Sequence, residues 1–302
     1  MKKLSITSWA FLFNQEQPTN DFHALVHKLG HLGYQGIELG AFAPHPTLES
    51  HDTKEKRDKL RKMVVDHRLE FSAFAPDLWA QKLWSVDDAA PYLAEFEKNL
   101  AFADDLGIKT IRVDLVEPIA HVAQTGIEPM LLFDRCVAAF DQCAKLAAPR
   151  GINVAWEFDP GFPLNKPSEI VALVDTVRGL GNTNFGVLFD TCDAHLCAAV
   201  GAYHLGEKET LPGGALELLQ QLNGKIKHVH LGDSDGSVQC DTSMHVPLGE
   251  GVLDFDQLIP ELLTAGVPDD WWTVDLCFWP DVWSATADCR RFLDKLRHKY
   301  VA

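Results

Sequence analysis

Positive charge is scarce in this sequence. Its 302 residues include 27 Lys and Arg against 43 Asp and Glu, a formal net charge of −16. A surface that acidic repels phosphate backbones and anionic lipid unless a local basic patch outweighs it. The densest basic stretch, Lys54 to Lys62, alternates with acidic residues and reads as a solvated helix face. Nucleic acid and membranes are therefore not expected partners, and small neutral molecules fit better. No apolar run is long enough to span a bilayer. Met1 to Ser5 leads straight into a strand-like segment without the apolar stretch of a secretory signal, so a cytoplasmic location is expected.

Paired thiols are also missing. The seven cysteines, Cys136, Cys143, Cys192, Cys197, Cys240, Cys277 and Cys289, include no CxxC spacing, which argues against thiolate zinc sites and redox motifs and for reduced thiols. Cys192 lies close to Asp190 but reads as packing rather than as a nucleophile. No glycine-rich fingerprint follows the first strand-like segment, which removes the usual reason to choose a dinucleotide fold. Gly249 and Gly251 look like a turn before a helix capped by Asp254, not a phosphate cradle.

What is present is ordinary globular material, 46% apolar and 23% charged. Eight β-rich runs recur: Leu4–Thr7, Gly36–Leu39, Glu70–Phe74, Thr110–Leu115, Asn153–Phe158, Phe185–Asp190, Lys225–Leu231 and Trp272–Leu276. Helical patterns fill the gaps. Phe22, Leu25, Val26, Leu29 and Leu32 recur at three- and four-residue intervals after Asp21. Later helices are expected over Ala89–Leu106, Pro129–Ala148, Pro167–Arg178, Ala215–Leu222, Phe255–Ala265 and Ser284–His298. Apolar strands such as Phe185–Phe189 suit a parallel sheet covered on both faces. Eight strand–helix units predict an α/β fold of the (β/α)8 TIM-barrel type, one domain over residues 1–302, with a doubly wound sheet as the alternative.

Barrels of this kind place their chemistry at the carboxyl ends of the strands. Polar residues collect there: Glu38, Asp77, Arg112 and Asp114, Glu157 and Asp159, Asp190, then Asp193 and His195, His228 and His230, and Asp275. Carboxylates in apolar runs are costly to bury without a cation or a hydrogen-bonding partner. Oxygen donors with one imidazole suit manganese, magnesium, cobalt or zinc and choose that class of divalent metal cation rather than an element, manganese being the first expectation. Against this stands the ordinary role of a strand-end Asp, capping the next helix. His228 and His230 are expected to diverge, one into the barrel and one toward the helices. Trp79, Trp156, Trp271, Trp272, Trp279 and Trp283 are expected mainly in the core.

With Glu157 in VAWEF, Asp190 in FGVLFDTCDAH, His230 in KHVHLGD, the loop HVPLGEGVLDF and Asp275 in WTVDL, the chain resembles the xylose-isomerase-like sugar isomerase and epimerase superfamily. That resemblance implies metal ligands Glu157, Asp190, His230 and Asp275. Catalytic roles are expected for Glu157, Asp275 and His195, and substrate contacts from Glu38, Arg112, Asp193 and His245. A small sugar or polyol is then the expected partner, and a homo-oligomer is open to such a barrel.

Three departures from the epimerase pattern stand out. Asp275 replaces a glutamate. Asp193 occupies the place of a histidine, with His195 two positions on. Gly236 stands where an arginine is usual. An isomerase or epimerase is expected, with an inosose-type dehydratase or a catalytically idle sugar-binding barrel as rivals.

Overall fold

The computed structural model describes residues 2–12, 21–239 and 242–301; Cys240 lies outside them. The strands are β1 (Lys3–Ile6), β2 (Gly36–Gly40), β3 (Glu70–Ala75), β4 (Thr110–Val113), β5 (Asn153–Glu157), β6 (Phe185–Asp190), β7 (Ile226–Leu231), the two short strands β8 (Val238–Gln239) and β9 (Thr242–Ser243), and β10 (Trp271–Val274). The helices are α1 (Phe22–Leu32), α2 (Lys54–Asp66), α3 (Ala90–Leu106), α4 (Ala120–Thr125), α5 (Pro129–Ala147), α6 (Pro167–Gly179), α7 (Thr191–His195), α8 (Gly214–Gln221), α9 (Phe255–Thr264) and α10 (Val282–Tyr300).

Eight parallel strands pair in the order β1-β10-β7-β6-β5-β4-β3-β2. A parallel bridge between Thr7 and Glu38 joins the end strands and closes the circle, so the fold is a (β/α)8 barrel. Antiparallel β8 and β9 form a separate hairpin in the loop after β7.

The local causes are plain. Every residue of β6 is buried, as its uninterrupted apolar run requires of a strand covered on both faces. Helix α1 starts where the Asp21 carboxylate accepts the amides of His23 and Ala24, at 2.9 and 3.1 Å. It buries Phe22, Leu25, Val26 and Leu29 against the barrel. Burial of each such side chain contributes about 1.5–3 kcal/mol. The basic stretch is the outer face of α2, where Lys54 pairs with Asp58 and Lys62 with Asp66 in exposed contacts of little energetic weight.

On β7 the structure corrects the sequence reading. His228 and His230 do not diverge: both are fully buried, and both reach the same Glu38 carboxylate oxygen, at 3.2 and 2.7 Å. Side chains alternate between neighbours, so residues two apart share a face.

Candidate metal centre

Register brings the four expected ligands together. Asp190 on β6 pairs with His230 on β7, and His230 pairs with Thr273 on β10. The amide of Asp275, just beyond β10, donates to the Leu231 carbonyl at 3.1 Å. Glu157 ends β5, the strand beside β6. One donor atom from each of Glu157, Asp190, His230 and Asp275 lies within 4.8 Å of the others, and all four residues are buried.

These atoms fit a cation. His230 Nδ1 is 3.1 Å from a Glu157 oxygen, 3.5 Å from Asp275 Oδ2 and 3.9 Å from Asp190 Oδ2, and is aligned for a hydrogen bond with none of them. Asp190 Oδ2 is likewise buried without a hydrogen-bond partner. Its other oxygen accepts the amides of Cys192 and Asp193 at 2.7 and 2.9 Å, so Asp190 caps α7 with one oxygen and turns the second, 3.2 Å from His245 Nε2, to the cluster. Asp275 Oδ1 accepts from Thr7 Oγ1 and the Cys277 amide, leaving Oδ2 turned to the cluster. Buried polar atoms are rarely left unpaired, so converging orphans mark a ligand site.

The electrostatics agree. Burial alone would drive the His230 imidazole toward neutrality, yet Glu38, Asp275 and Glu157 hold its pKa well above the usual value. Burial also opposes charge on His245, but Asp190 and Asp275 push its pKa up to about 10. The negative field that keeps protons on both rings is the field that would attract a metal ion.

Glu38 was expected to touch substrate. Instead its carboxylate lies behind His230, accepting at Nε2 and so aiming Nδ1 at the cluster. Beneath it, His228 Nε2 lies 3.2 Å from Glu38 and 3.0 Å from Thr273 Oγ1, while Nδ1 meets Asp269 at 2.6 Å. Burial lowers the His228 pKa, but Asp269 and Glu38 outweigh it and raise the value to about 9. Because the folded value is the higher one, this stabilisation is complete below the ordinary imidazole value of 6.5 and is lost as pH rises through about 9. Asp269→Asn is expected to lower the unfolding free energy near pH 6 by about 2 kcal/mol or more, and by less near pH 9.5. Denaturant unfolding at the two pH values measures this, and an equal loss at both would contradict it.

Above the cluster opens a cavity of about 440 Å³, lined by Arg112, Glu157, Asp159, Asp193, His245, Asp275 and Cys277 with the rings of Trp9, Trp79, Phe162 and Phe278. Arg112 is buried, with Nε against Glu157, a terminal nitrogen 3.4 Å from Asp114 and the guanidinium 4.3 Å from the centre of the Trp9 ring. Burial raises the Glu157 pKa, but Arg112 and His230 more than reverse this and hold the carboxylate ionised. Asp193 is driven the other way, to well above the usual range, by burial and by the nearby charges of Asp159 and Asp190.

His195 does not join this cavity. It lines a separate groove with Leu211, Val252, Asp254 and Gln257. An α-helix turns about 100° per residue, so counted from Asp190 the side chain at 193 lies about 60° away and that at 195 about 140° away. Trp9 was missed as a cavity wall, because nothing marks its short 3-10 turn, Trp9–Phe11, as facing the site.

Asp233, just after β7, organises the loop that carries His245. Its two oxygens accept the amides of Ser234, Gly249, Gly251 and Leu253 at 2.9–3.1 Å. A Cβ at Gly251 would lie 2.3 Å from Asp233 Oδ1, so only glycine lets the loop close on the carboxylate. Asp233→Asn turns an amide group toward donors and is expected to cost about 1–3 kcal/mol. Hydrogen exchange at Gly249 and Gly251 should quicken, and unchanged protection would rule out this anchoring role.

The class that fold and site define is a parallel (β/α)8 barrel with a buried carboxylate–histidine cluster at its strand ends that could hold a metal ion. The sequence matches the Xylose isomerase-like TIM barrel family over residues 26–295, and the chain belongs to that family. An inosose dehydratase of Glaesserella parasuis serovar 5 (strain SH0165) is 23% identical over 257 residues, which cover 78% of this chain and 76% of the relative. Solved structures share the fold. The IOLI protein with a binding zinc atom has a TM-score of 0.73 at 20% identity, covering 99% of both chains. D-psicose 3-epimerase, solved in the presence of D-fructose, has 0.69 at 19%, also over 99% of both. A xylose isomerase-like TIM barrel protein from Mycobacterium smegmatis in complex with magnesium has 0.72 at 14%, covering 100% of this chain and 98% of that one. Among the described residues, no helix is long and apolar enough to cross a membrane.

Proposed function

We propose that this protein is an isomerase or epimerase that removes a proton beside the carbonyl of a small sugar or keto-sugar, working with a divalent cation held by Glu157, Asp190, His230 and Asp275. The observation that carries this reading is the convergence of four buried donors at the base of the cavity. The donor set, three carboxylates and one imidazole, suits manganese, magnesium, cobalt or zinc. When bound, such a cation supplies Lewis acidity that stabilises negative charge developing on substrate oxygens.

The chain's own residues move the proton. Glu157, kept ionised by Arg112, is the base that takes it. Asp193, kept protonated by burial among other carboxylates, is the acid that returns one, taking the role expected of His195. Arg112 and His245 donate hydrogen bonds to substrate oxygens, and the aromatic walls exclude water from the reacting carbon.

A second reading, dehydration of an inosose, has support of its own in the inosose dehydratase relative. It begins with the same proton removal by Glu157. Asp193 would then protonate a departing hydroxyl, which leaves as water.

The test is deuterium uptake from solvent into a panel of ketoses, aldoses and inososes, using chelator-stripped protein with and without added manganese. Manganese-dependent exchange with the carbon skeleton intact is expected. Loss of water from an inosose would select the dehydratase, and tight cation binding with no exchange on any substrate would select an idle barrel.

A further inference from the structure

Four imidazoles gather on the outside of the barrel. His23, His27 and His31 are exposed on α1, spaced so that successive helical turns set them in one stripe opposite the buried Leu25 and Leu29. His67, just past the end of α2, comes alongside, its ring 4.9 Å from that of His23 and 5.6 Å from that of His27. The rings of His27 and His31 are 4.3 Å apart. Backbone packing fixes this approach. Helix α1 passes so close that a Cβ on Gly30 would sit 2.7 Å from the His67 carbonyl oxygen.

Two hydrogen bonds select the tautomer of two of the rings. His31 Nδ1 lies 2.8 Å from the His27 carbonyl oxygen, and His67 Nδ1 lies 2.8 Å from that of Met63. A carbonyl can only accept, so each Nδ1 carries the proton and each neutral ring presents its Nε2 lone pair outward. A ring nitrogen tied to a backbone carbonyl is the usual partner of a metal-bound histidine.

We propose that this stripe is a second metal site, formed by His27, His31 and His67 with His23 at its edge, for a transition-metal cation such as Zn²⁺, Ni²⁺ or Cu²⁺. As placed, no three of these nitrogens meet at one point; exposed rings turn about two side-chain bonds to do so. Histidines four apart on a helix are a known chelating spacing. An all-imidazole set favours zinc, nickel and copper, whereas the carboxylates of the barrel also suit manganese and magnesium. Occupancy would tie α1 to the end of α2, across the pair of helices that flank β2 in the chain.

Metal-stripped full-length protein titrated with Zn²⁺ alone tests this, with bound zinc counted after gel filtration. Wild type is expected to bind one equivalent more than the His27→Gln/His67→Gln variant. That variant should unfold at the wild-type temperature in the absence of metal, since both side chains lie outside the core. In an Asp190→Asn/His230→Gln protein, which lacks two of the four barrel ligands including the only imidazole among them, Cu²⁺ should give an electron paramagnetic resonance spectrum with coupling to more than one imidazole nitrogen. Equal zinc content in wild type and the His27/His67 variant, or no such coupling, overturns the proposal. Failure of the barrel site would look different: the Asp190/His230 variant would bind as much zinc as wild type.

Discussion

Glutamine in place of Glu157 is expected to slow solvent deuterium exchange into substrate by about 10²- to 10⁴-fold, the usual contribution of a general base. The amide is nearly the same size but cannot take a proton. It also leaves the buried Arg112 Nε without its carboxylate partner. Metal content separates loss of the base from loss of the site, because Glu157 is also one of the four converging donors. If the variant keeps its cation and exchanges at the wild-type rate, Glu157 is not the base. If it loses both, the role is ligation, and the base must be sought at Asp275.

Arg112→Leu is expected to show the largest stability effect, a loss of about 3–5 kcal/mol in unfolding free energy, as when one member of a buried ion pair is removed. The guanidinium is buried between Glu157 and Asp114 and stacks on Trp9, and those carboxylates hold its pKa above the usual arginine value against the cost of burial. Leucine would leave Glu157 beside Asp190 and Asp275, with His230 and His245 to offset them. The deficit should shrink when saturating manganese is added, because a cation replaces the missing positive charge. Urea unfolding with and without manganese measures both effects. A loss below about 1 kcal/mol in the stripped protein would mean that solvent already screens this pair.

The barrel was legible because each of its strands is a short apolar run between helical patterns. Phe185–Asp190 matches its strand residue for residue, and the other seven runs differ at their ends by no more than two residues. The four converging donors were legible through motif likeness. Their meeting depends on the registers Asp190–His230 and His230–Thr273, which no single segment contains. Glu38 was misplaced because a strand-end carboxylate looks the same whether it faces substrate or braces a ligand from behind. Choosing between Asp193 and His195 required knowing where α7 begins. That start is set by Asp190 accepting two backbone amides, a role visible only once its side chain is placed. The four-amide grip of Asp233 joins residues up to 20 positions apart, beyond the reach of local pattern.

The closure of the sheet also sets a timetable for the growing chain. Strand β1 is held on one side by β10, the last strand to be synthesised, and β10 also pairs with β7. A nascent chain that has emerged only as far as α9 therefore has an open sheet with two unpaired edges. It also lacks Asp275, the final member of the cluster. Domains generally fold as units as they leave the ribosome, and unpaired strand edges are sites of misassociation. For this chain that exposure ends only when residues 271–275 dock, so ring closure and completion of the cluster fall in the same late moment of translation.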